Sequence, residues 1–374
     1  MFVKFSMLEK KLFGYGNATV DDFVAPNTPY DGMKKPGGIM NVARGWQVLS
    51  KFQRKNPVKV YMVGNYGDDE DSKVIQETIE KDEFNTEFFL RLRDAESRVY
   101  KINLSNPEEP DIQRYKEGKA LRATPKKNII PFLDNQTLVF AQSFGTFLES
   151  QGELMISIYN IARRKGAETA SDANIRQSLI DYIQGRDKTV SSAELEDRQK
   201  IMIARKEMAL RELSMLKVDD AEAKILDDDF KTDKPIKEIS VQKSELPKIG
   251  NSILSTYDSI RMLAITKGKE GGYFLTRDFE TFYDAVKLDG YVNSLGCGDG
   301  YSAAMTFGRL IKLSDTEIAA LSPIIAALYT KVPSGYPDLT PESIRDAILK
   351  NDNYCKNIGA NSNEIITKME NITS

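Results

Sequence analysis

Residues 293–300 read Asn293-Ser294-Leu295-Gly296-Cys297-Gly298-Asp299-Gly300, and an apolar helical pattern follows through Leu310. Glycines let successive backbone N–H groups converge, and the N-terminus of the following helix adds the positive end of its dipole, so the turn forms a cradle for an anion. A carboxylate in the same turn can take a proton from an attacking hydroxyl. Phosphoryl transfer uses both parts, a set of charge-stabilising donors and a positioned base. Taken alone, Gly296–Gly300 is more readily an ordinary glycine turn with Asp299 as the helix N-cap. The rest of the chain has to decide between the two.

Outward from this turn, strand-like and helical patterns alternate. Downstream, SDTEIAALSPIIAALYT (314–330) is a helix in which Ser314 can cap and Glu317, three residues on, can complete the box. PESIRDAIL (341–349) closes the fold, and 353–374 reads as a polar, mobile tail. Upstream, RMLAITKG (261–268) is a strand and GGYFLTRD (271–278) continues it as a hairpin. In the first half, KLFGYGNATVDDF (11–23) is strand, turn, strand, and VKVYMVG (58–64) and TLVFAQSF (137–144) are buried strands. PGGIMNVARGWQVLSKF (36–52) is a glycine turn feeding a helix whose Val42, Trp46 and Leu49 recur at helical spacing. Further helices fall at 72–81 and Glu153–Arg164, and extended segments at Phe88–Leu92 and Arg98–Leu104. Such alternation predicts a parallel sheet covered on both faces. From 168 to 235 the rhythm lapses into Glu-, Lys-, Arg- and Asp-rich helical sequence, which reads as a helical insertion on the surface, closed by a solvated linker at Asp227–Asp229.

Composition removes whole classes of chemistry. The 374 residues contain no histidine and two cysteines, Cys297 and Cys355. Ser-His-Asp and Cys-His catalysis and His-ligated zinc are therefore excluded within this chain. Two cysteines make no disulfide framework, which suits a reducing compartment. The net charge of −3 argues against a nucleic-acid partner and a polybasic membrane surface. No apolar run approaches the roughly 18 residues of a membrane span, and the first residues lack a signal-peptide core, so a cytoplasmic protein is expected. A GxxxxGK[ST] motif is missing, which excludes a P-loop, and Gly14-x-Gly16 lacks the third glycine of a dinucleotide fingerprint.

Three further runs could carry chemistry, and each, read alone, is matched or outweighed by a structural explanation. Pro36-Gly37-Gly38-Ile39-Met40-Asn41 puts two glycines before a helix with Asn41 in its first turn, and an amide that both donates and accepts suits a sugar hydroxyl. A turn packed against the sheet explains the same run. Gly16-Asn17-Ala18-Thr19-Val20-Asp21-Asp22 places an acid where it could hold two hydroxyls, or simply exposes turn acids. Thr266-Lys267-Gly268-Lys269-Glu270-Gly271-Gly272 fits a tight turn beside a nucleotide, or a plain hairpin turn.

The order of these elements is more specific than any of them. Over roughly residues 11–165 and 240–350 the sequence resembles the PfkB/ribokinase family of carbohydrate kinases: an early sugar-binding acid, Gly37-Gly38 followed by Asn41-x-Ala43, the strand exit VGNYGDD (63–69), Thr266-x-Gly268-x-x-Gly271, and Gly296-Cys297-Gly298-Asp299 for the Gly-Ala-Gly-Asp signature. Pro36–Ala43 and GNATVDDF look most like the heptose-7-phosphate kinase branch. The resemblance implies a ribokinase-like three-layer α/β/α fold in one domain over 1–374, with a central mostly parallel sheet and a small β-lid from 17–30 and 86–105. It implies Mg²⁺-ATP and a sugar or sugar phosphate as substrates. Asp299 would be the base, and the amides of Gly296, Cys297 and Gly298 would stabilise the phosphoryl group. Asp21, Gly37, Gly38 and Asn41 would hold the sugar, with Arg98 on a substrate phosphate. Thr266, Gly268 and Gly271 would lie by the nucleotide. Family members often dimerise through the lid, so a homodimer is expected.

The sequence departs from the family pattern at four places. Asn293-Ser294-Leu295 replaces an Asp-Thr-Thr-like tripeptide, and Cys297 replaces the signature alanine. The metal-linked Asn-x-x-Glu motif finds its nearest candidate in Ala204–Glu207, leaving Glu207 as the candidate metal residue. A strand ending in Asp-Pro is not found after ARRKGAETAS. These departures keep open a kinase-fold binding or scaffolding subunit without turnover, with 168–235 as its contact surface. A nucleoside kinase is a third reading, permitted by 16 Tyr and 17 Phe.

Overall fold

The computed structural model describes residues 9–371 apart from 54–56, 107, 109, 117–127, 144–151, 188–189 and 333. Where the sequence suggested one continuous domain, the chain divides into two compact units, residues 1–139 with 286–374 and residues 140–285.

The first unit opens with β1 (Lys11–Tyr15), β2 (Ala18–Val24), β3 (Lys34–Gly38), α1 (Ile39–Ser50), β4 (Lys59–Tyr66), α2 (Lys73–Lys81), β5 (Asn85–Arg91), β6 (Arg98–Asn103) and β7 (Asp111–Lys116). The strand β8 (Thr137–Ala141) then carries the chain into the second unit. β4 runs parallel to β1 on one side and to β5 on the other. Cross-strand aromatic contact fixes this pairing: Phe13 stacks on Tyr61 with centroids 4.8 Å apart, and Phe88 meets both rings edge-on. A separate sheet has the order β3-β2-β6-β7. It takes β2 and β6 from the two segments expected to form a lid and adds β3 and β7, whereas residues 86–91 lie in β5. The buried Asp71 carboxylate is shared by Lys34 of β3, at 2.6 Å, and Lys116 of β7, and the two ammonium groups hold its pKa below the usual carboxylate range against the opposing effect of burial.

In the second unit follow α3 (Gly152–Arg164), β9 (Glu168–Asp172), α4 (Gln177–Ile183), α5 (Ser192–Leu210), β10 (Met215–Asp219), α6 (Asp220–Asp227), α7 (Leu246–Thr256), β11 (Met262–Thr266), β12 (Gly272–Thr276) and β13 (Glu280–Tyr283). Their strands are ordered β13-β12-β11-β10-β9, with β9, β10 and β11 parallel and β12 and β13 antiparallel. This corrects the expected helical insertion at 168–235, which supplies two interior strands of the sheet. The strands escaped the sequence pattern because they are buried and polar at once. Thr169 Oγ1 donates to Glu212 O at 2.7 Å, Ser171 Oγ donates to Ala141 O at 3.1 Å, and Lys217 pairs with Asp172 at 3.2 Å. Each group is satisfied internally, so burial carries little penalty. The supposed linker is anchored too: Asp229 pairs with the buried Lys206, and Phe230 is in the core.

Back in the first unit, α8 (Cys297–Leu310), α9 (Asp315–Tyr329), α10 (Pro341–Lys350), α11 (Asp352–Ile358) and α12 (Ser362–Glu370) complete the chain. The capping box read from the sequence is present: Glu317 N donates to Ser314 Oγ at 3.3 Å, and Ser314 N donates to Glu317 Oε2 at 2.7 Å. The mobile tail is a second correction. Within 353–371 lie α12 and most of α11, whose Cys355, Ile358, Ile365, Ile366 and Met369 are buried. Asn361 Oδ1 caps α12, and Lys368 ties it to Glu317 of α9 at 2.7 Å. Among the described residues no helix is long and apolar enough to cross a membrane.

Candidate active site

In the first unit, α1 and α8 bring Asn41 and Asp299 together. Their packing is set by apolar surface and by one buried hydrogen bond, Trp46 Nε1 to Thr306 Oγ1 at 2.8 Å. Between one and two turns towards the N-terminus of each helix, Asn41 Nδ2 donates to Asp299 Oδ2 at 2.9 Å. Asn41 is 4% exposed, and its Oδ1 is a buried acceptor with no protein partner. A buried acceptor of this kind is ordinarily met by a donor, and a ligand hydroxyl supplies one.

The glycine turn takes the shape that an anion cradle requires. Gly296 is the N-cap of α8 in the left-handed region, φ 77°, and no side chain caps the helix. Asp299 is therefore not the cap. It is the third residue of the helix, partly exposed, with its carboxylate directed to Asn41. Cys297 N donates to Ser294 O at 3.3 Å, so this amide, one of three expected in the cradle, closes the turn. Gly298 and Asp299 follow in the first turn of α8, where helix-terminal amides point out of the helix end. Tyr329 at the end of α9 supports the arrangement. Its buried hydroxyl donates to Asn41 O at 2.8 Å, and a Cβ on Gly300 would fall 2.5 Å from its ring. Burial, and after it the charge of Asp299, pushes the Tyr329 phenol far up, so it stays a donor.

Asp21, Gly37, Gly38 and Arg98 gather on the small sheet. Asp21 is 7% exposed, and a Cβ on Gly37 would lie 2.4 Å from its Oδ2, so the carboxylate rests directly on the Gly37 backbone. Gly38 has φ 65°, and a Cβ there would strike Asn17 O at 2.3 Å. The backbone closes Gly38 to any side chain, whereas a side chain at Gly37 would displace the Asp21 carboxylate. In the register of β2 and β6, Arg98 lies opposite Thr19 and Tyr100 opposite Asp21, which puts Arg98 and Asp21 on one face. Arg98 Nη1 is 3.4 Å from the Tyr100 hydroxyl.

The second unit holds the residues expected near a nucleotide. Thr266 ends β11, and its Oγ1 donates to Val218 O at 3.3 Å. Gly268 and Gly271 have φ 48° and 87°, and a Cβ on Gly271 would meet Tyr283 O at 1.9 Å. Lys267 N donates to Gly271 O at 2.7 Å, closing a turn that only glycine can make there. Glu207, the candidate metal residue, is already engaged by protein groups. It sits within α5, with one carboxylate oxygen accepting from Tyr257 and the other 3.3 Å from Arg211. The acid with the expected spacing is Glu222, in Asp219-Asp220-Ala221-Glu222 at the junction of β10 and α6, with Asp in place of Asn. Asp219 is in register with Thr266. The strand ending in Asp-Pro is also traceable, since β9 ends at Asp172 with Ala173 where proline would stand. Burial pushes the Glu222 carboxyl up to about 8, with Asp219 adding to the shift. Among the described residues no cluster of three acids or thiols is placed to hold a metal. A magnesium ion needs no such cage when phosphates supply its ligands.

Solved structures with the same architecture identify the fold. A nucleoside kinase of Burkholderia thailandensis, in complex with inosine, superposes with a TM-score of 0.62 at 17% identity, over 94% of this chain and 98% of that one. A probable sugar kinase of Rhizobium etli gives 0.67 at 14% identity over 91% and 99%, and the ribokinase of Thermotoga maritima gives 0.62 at 14% over 91% and 100%. The fold is ribokinase-like. At the sequence level the 2-dehydro-3-deoxygluconokinase of Bacillus subtilis is 35% identical over 71 residues, 19% of this chain and 22% of that protein. No protein-family model matches the chain.

Proposed function

We propose that this ribokinase-like protein transfers the γ-phosphoryl group of ATP to a hydroxyl of a small sugar or sugar derivative, with Asp299 as general base. The observation that carries this reading is the contact of Asn41 and Asp299 at the open N-terminus of α8. The acceptor hydroxyl attacks the γ-phosphorus and gives its proton to Asp299. The bond from that phosphorus to the β–γ bridging oxygen breaks, and ADP leaves. Amides of the Gly296–Asp299 turn face the charge that spreads over the transferring group. Mg²⁺ enters with ATP as part of the substrate. Asp21, the Gly37-Gly38 backbone and Asn41 hold acceptor hydroxyls, and Arg98 faces an anionic group on the acceptor. By the resemblance, Thr266, Gly268 and Gly271 would contact the nucleotide.

A phosphate or a carboxylate would satisfy Arg98 equally. Heptose 7-phosphate is suggested by Pro36–Ala43 and GNATVDDF, while the Bacillus relative acts on a sugar acid, as its name states. The second reading, a binding subunit without turnover, took 168–235 as its contact surface; that segment contributes β9 and β10 to the sheet together with α4, α5 and α6. ADP release from Mg-ATP across neutral sugars, sugar acids, sugar phosphates and nucleosides tests the proposal, with Asp299→Asn as the blank. Acceptor-dependent ADP that disappears in the variant is expected. Absence of acceptor-dependent ADP across the panel would overturn the proposal.

A further inference from the structure

The glycine turn is buttressed from behind by a loop that none of the motifs includes. A Cβ on Gly296 would fall 2.6 Å from Gly335 Cα and 2.7 Å from Gly335 O, and a Cβ on Gly335, at φ 59°, would fall 3.2 Å from Gly296 N. The two backbones are in direct contact, so the position of the 334–339 loop sets the position of Gly296. That loop is held by a buried polar clamp. Tyr336 Oη donates to Asp82 Oδ2 at 2.5 Å, Asp82 pairs with Arg44 Nη1 at 3.2 Å, and Arg44 Nη2 donates to Leu339 O at 3.4 Å. Arg44 and Asp82 are each exposed by less than a tenth, and burial, then the hydrogen bond to Asp82, pushes the Tyr336 phenol far up. Arg44 is one turn of α1 beyond Asn41, on the same face. One helix therefore sends Asn41 to the base and Arg44 to the loop behind the cradle.

We propose that Tyr336, with Asp82 and Arg44, is a positioning residue for the Gly296–Asp299 turn, acting through Gly335. The proposal rests on the reading of that turn as the phosphoryl cradle, but its test does not need turnover. Cys297 lies in the turn and is partly exposed, whereas Cys355 is buried among the C-terminal helices. Alkylation of the full chain by iodoacetamide, read separately at each cysteine by mass spectrometry, reports the turn at Cys297 and general loosening at Cys355. In Tyr336→Phe the rate at Cys297 should rise at least threefold while Cys355 stays protected. Gly335→Ala, which presses a methyl group on Gly296, should move Cys297 in the same way, and serves if the first variant is unstable. With an acceptor that turns over, kcat should fall tenfold or more with KM for the acceptor little changed. A Cys297 rate equal to that of the unmodified chain, or Cys297 and Cys355 rising in step, would overturn the inference. A Cys297 effect in a protein without turnover would uphold the clamp and remove the kinase reading.

Discussion

Asp299 of the first unit and Glu222 of the second both stand third in a helix, after an N-cap of different kind. Glu222 follows a side-chain cap. Its Oε2 accepts from Asp219 N at 2.8 Å and its Oε1 from Ile175 N at 2.6 Å, so both oxygens are spent on backbone amides in a site 4% exposed. Asp299 follows a bare glycine cap, remains partly exposed, and is approached by the Asn41 amide. The same helical position makes a structural acid when both oxygens are used and water is excluded, and a candidate base when a helix terminus is left open beside it. The cap residue decides which. Asp219 fills the helix end with its own carboxylate, and Gly296 leaves it for a ligand.

The largest expected effect is on the open site. Asp299→Asn keeps size and hydrogen bonding but cannot take the proton, so kcat should fall by about 10²–10⁴-fold, the span of general base catalysis. Its thermal midpoint should match that of the unmodified protein. A variant that keeps its turnover would erase the distinction between the two acids. In the closed site the effect should appear in stability. Lys217 is buried among Asp172, Asp219 and Glu222, which together raise its pKa against the opposing effect of burial. Lys217→Met leaves those acids without their cation and should cost about 3–5 kcal/mol in urea unfolding, the range for breaking a buried ion pair. A cost below about 1 kcal/mol would mean that the acids share protons without the lysine.

Much of the first unit's site was legible because it is written in glycines. Gly38 and Gly296 stand at positive φ where a Cβ would strike backbone, so backbone geometry fixes the residue type, and Asn41 and Asp299 follow at short spacing. The second unit was not legible in the same way. ETASD and MLKVD carry serine, threonine, lysine and aspartate in interior strands, and their alternation of polarity reflects internal partners rather than solvent. With β10 missed, Asp219-x-x-Glu222 was not seen to stand at a strand-to-helix junction. The C-terminal segment misled through composition: Asn361 and Gly359 cap helices, while Ile358, Ile365 and Met369 fill the core. Ile365→Ala should accordingly cost about 2–4 kcal/mol, a typical price of a core truncation. A change within 0.5 kcal/mol would return that segment to the status of a tail.

The smallest effect is a slope. Glu222 has its carboxyl raised from 4.5 to about 8 on folding, and Asp219 shifts in the same direction. The folded state thus holds protons that the unfolded chain has released. Stability is fully present below the unfolded value and is lost as pH rises through the folded one, by at most about 1.4 kcal/mol per pH unit for each proton. Unfolding midpoints should fall between pH 5 and 8 and level off above that window. Glu222→Gln should flatten the decline. A midpoint that rises with pH across the window would mean that the acids are ionised in the fold.

Phosphorus-31 NMR of the protein with Mg-ATP and its best acceptor tests the central claim most directly. The account predicts that the γ resonance of ATP falls as a phosphomonoester resonance on the acceptor grows at the same rate, and that Asp299→Asn abolishes both changes. Loss of the γ resonance to inorganic phosphate alone, or ester formation that survives in the variant, would contradict it.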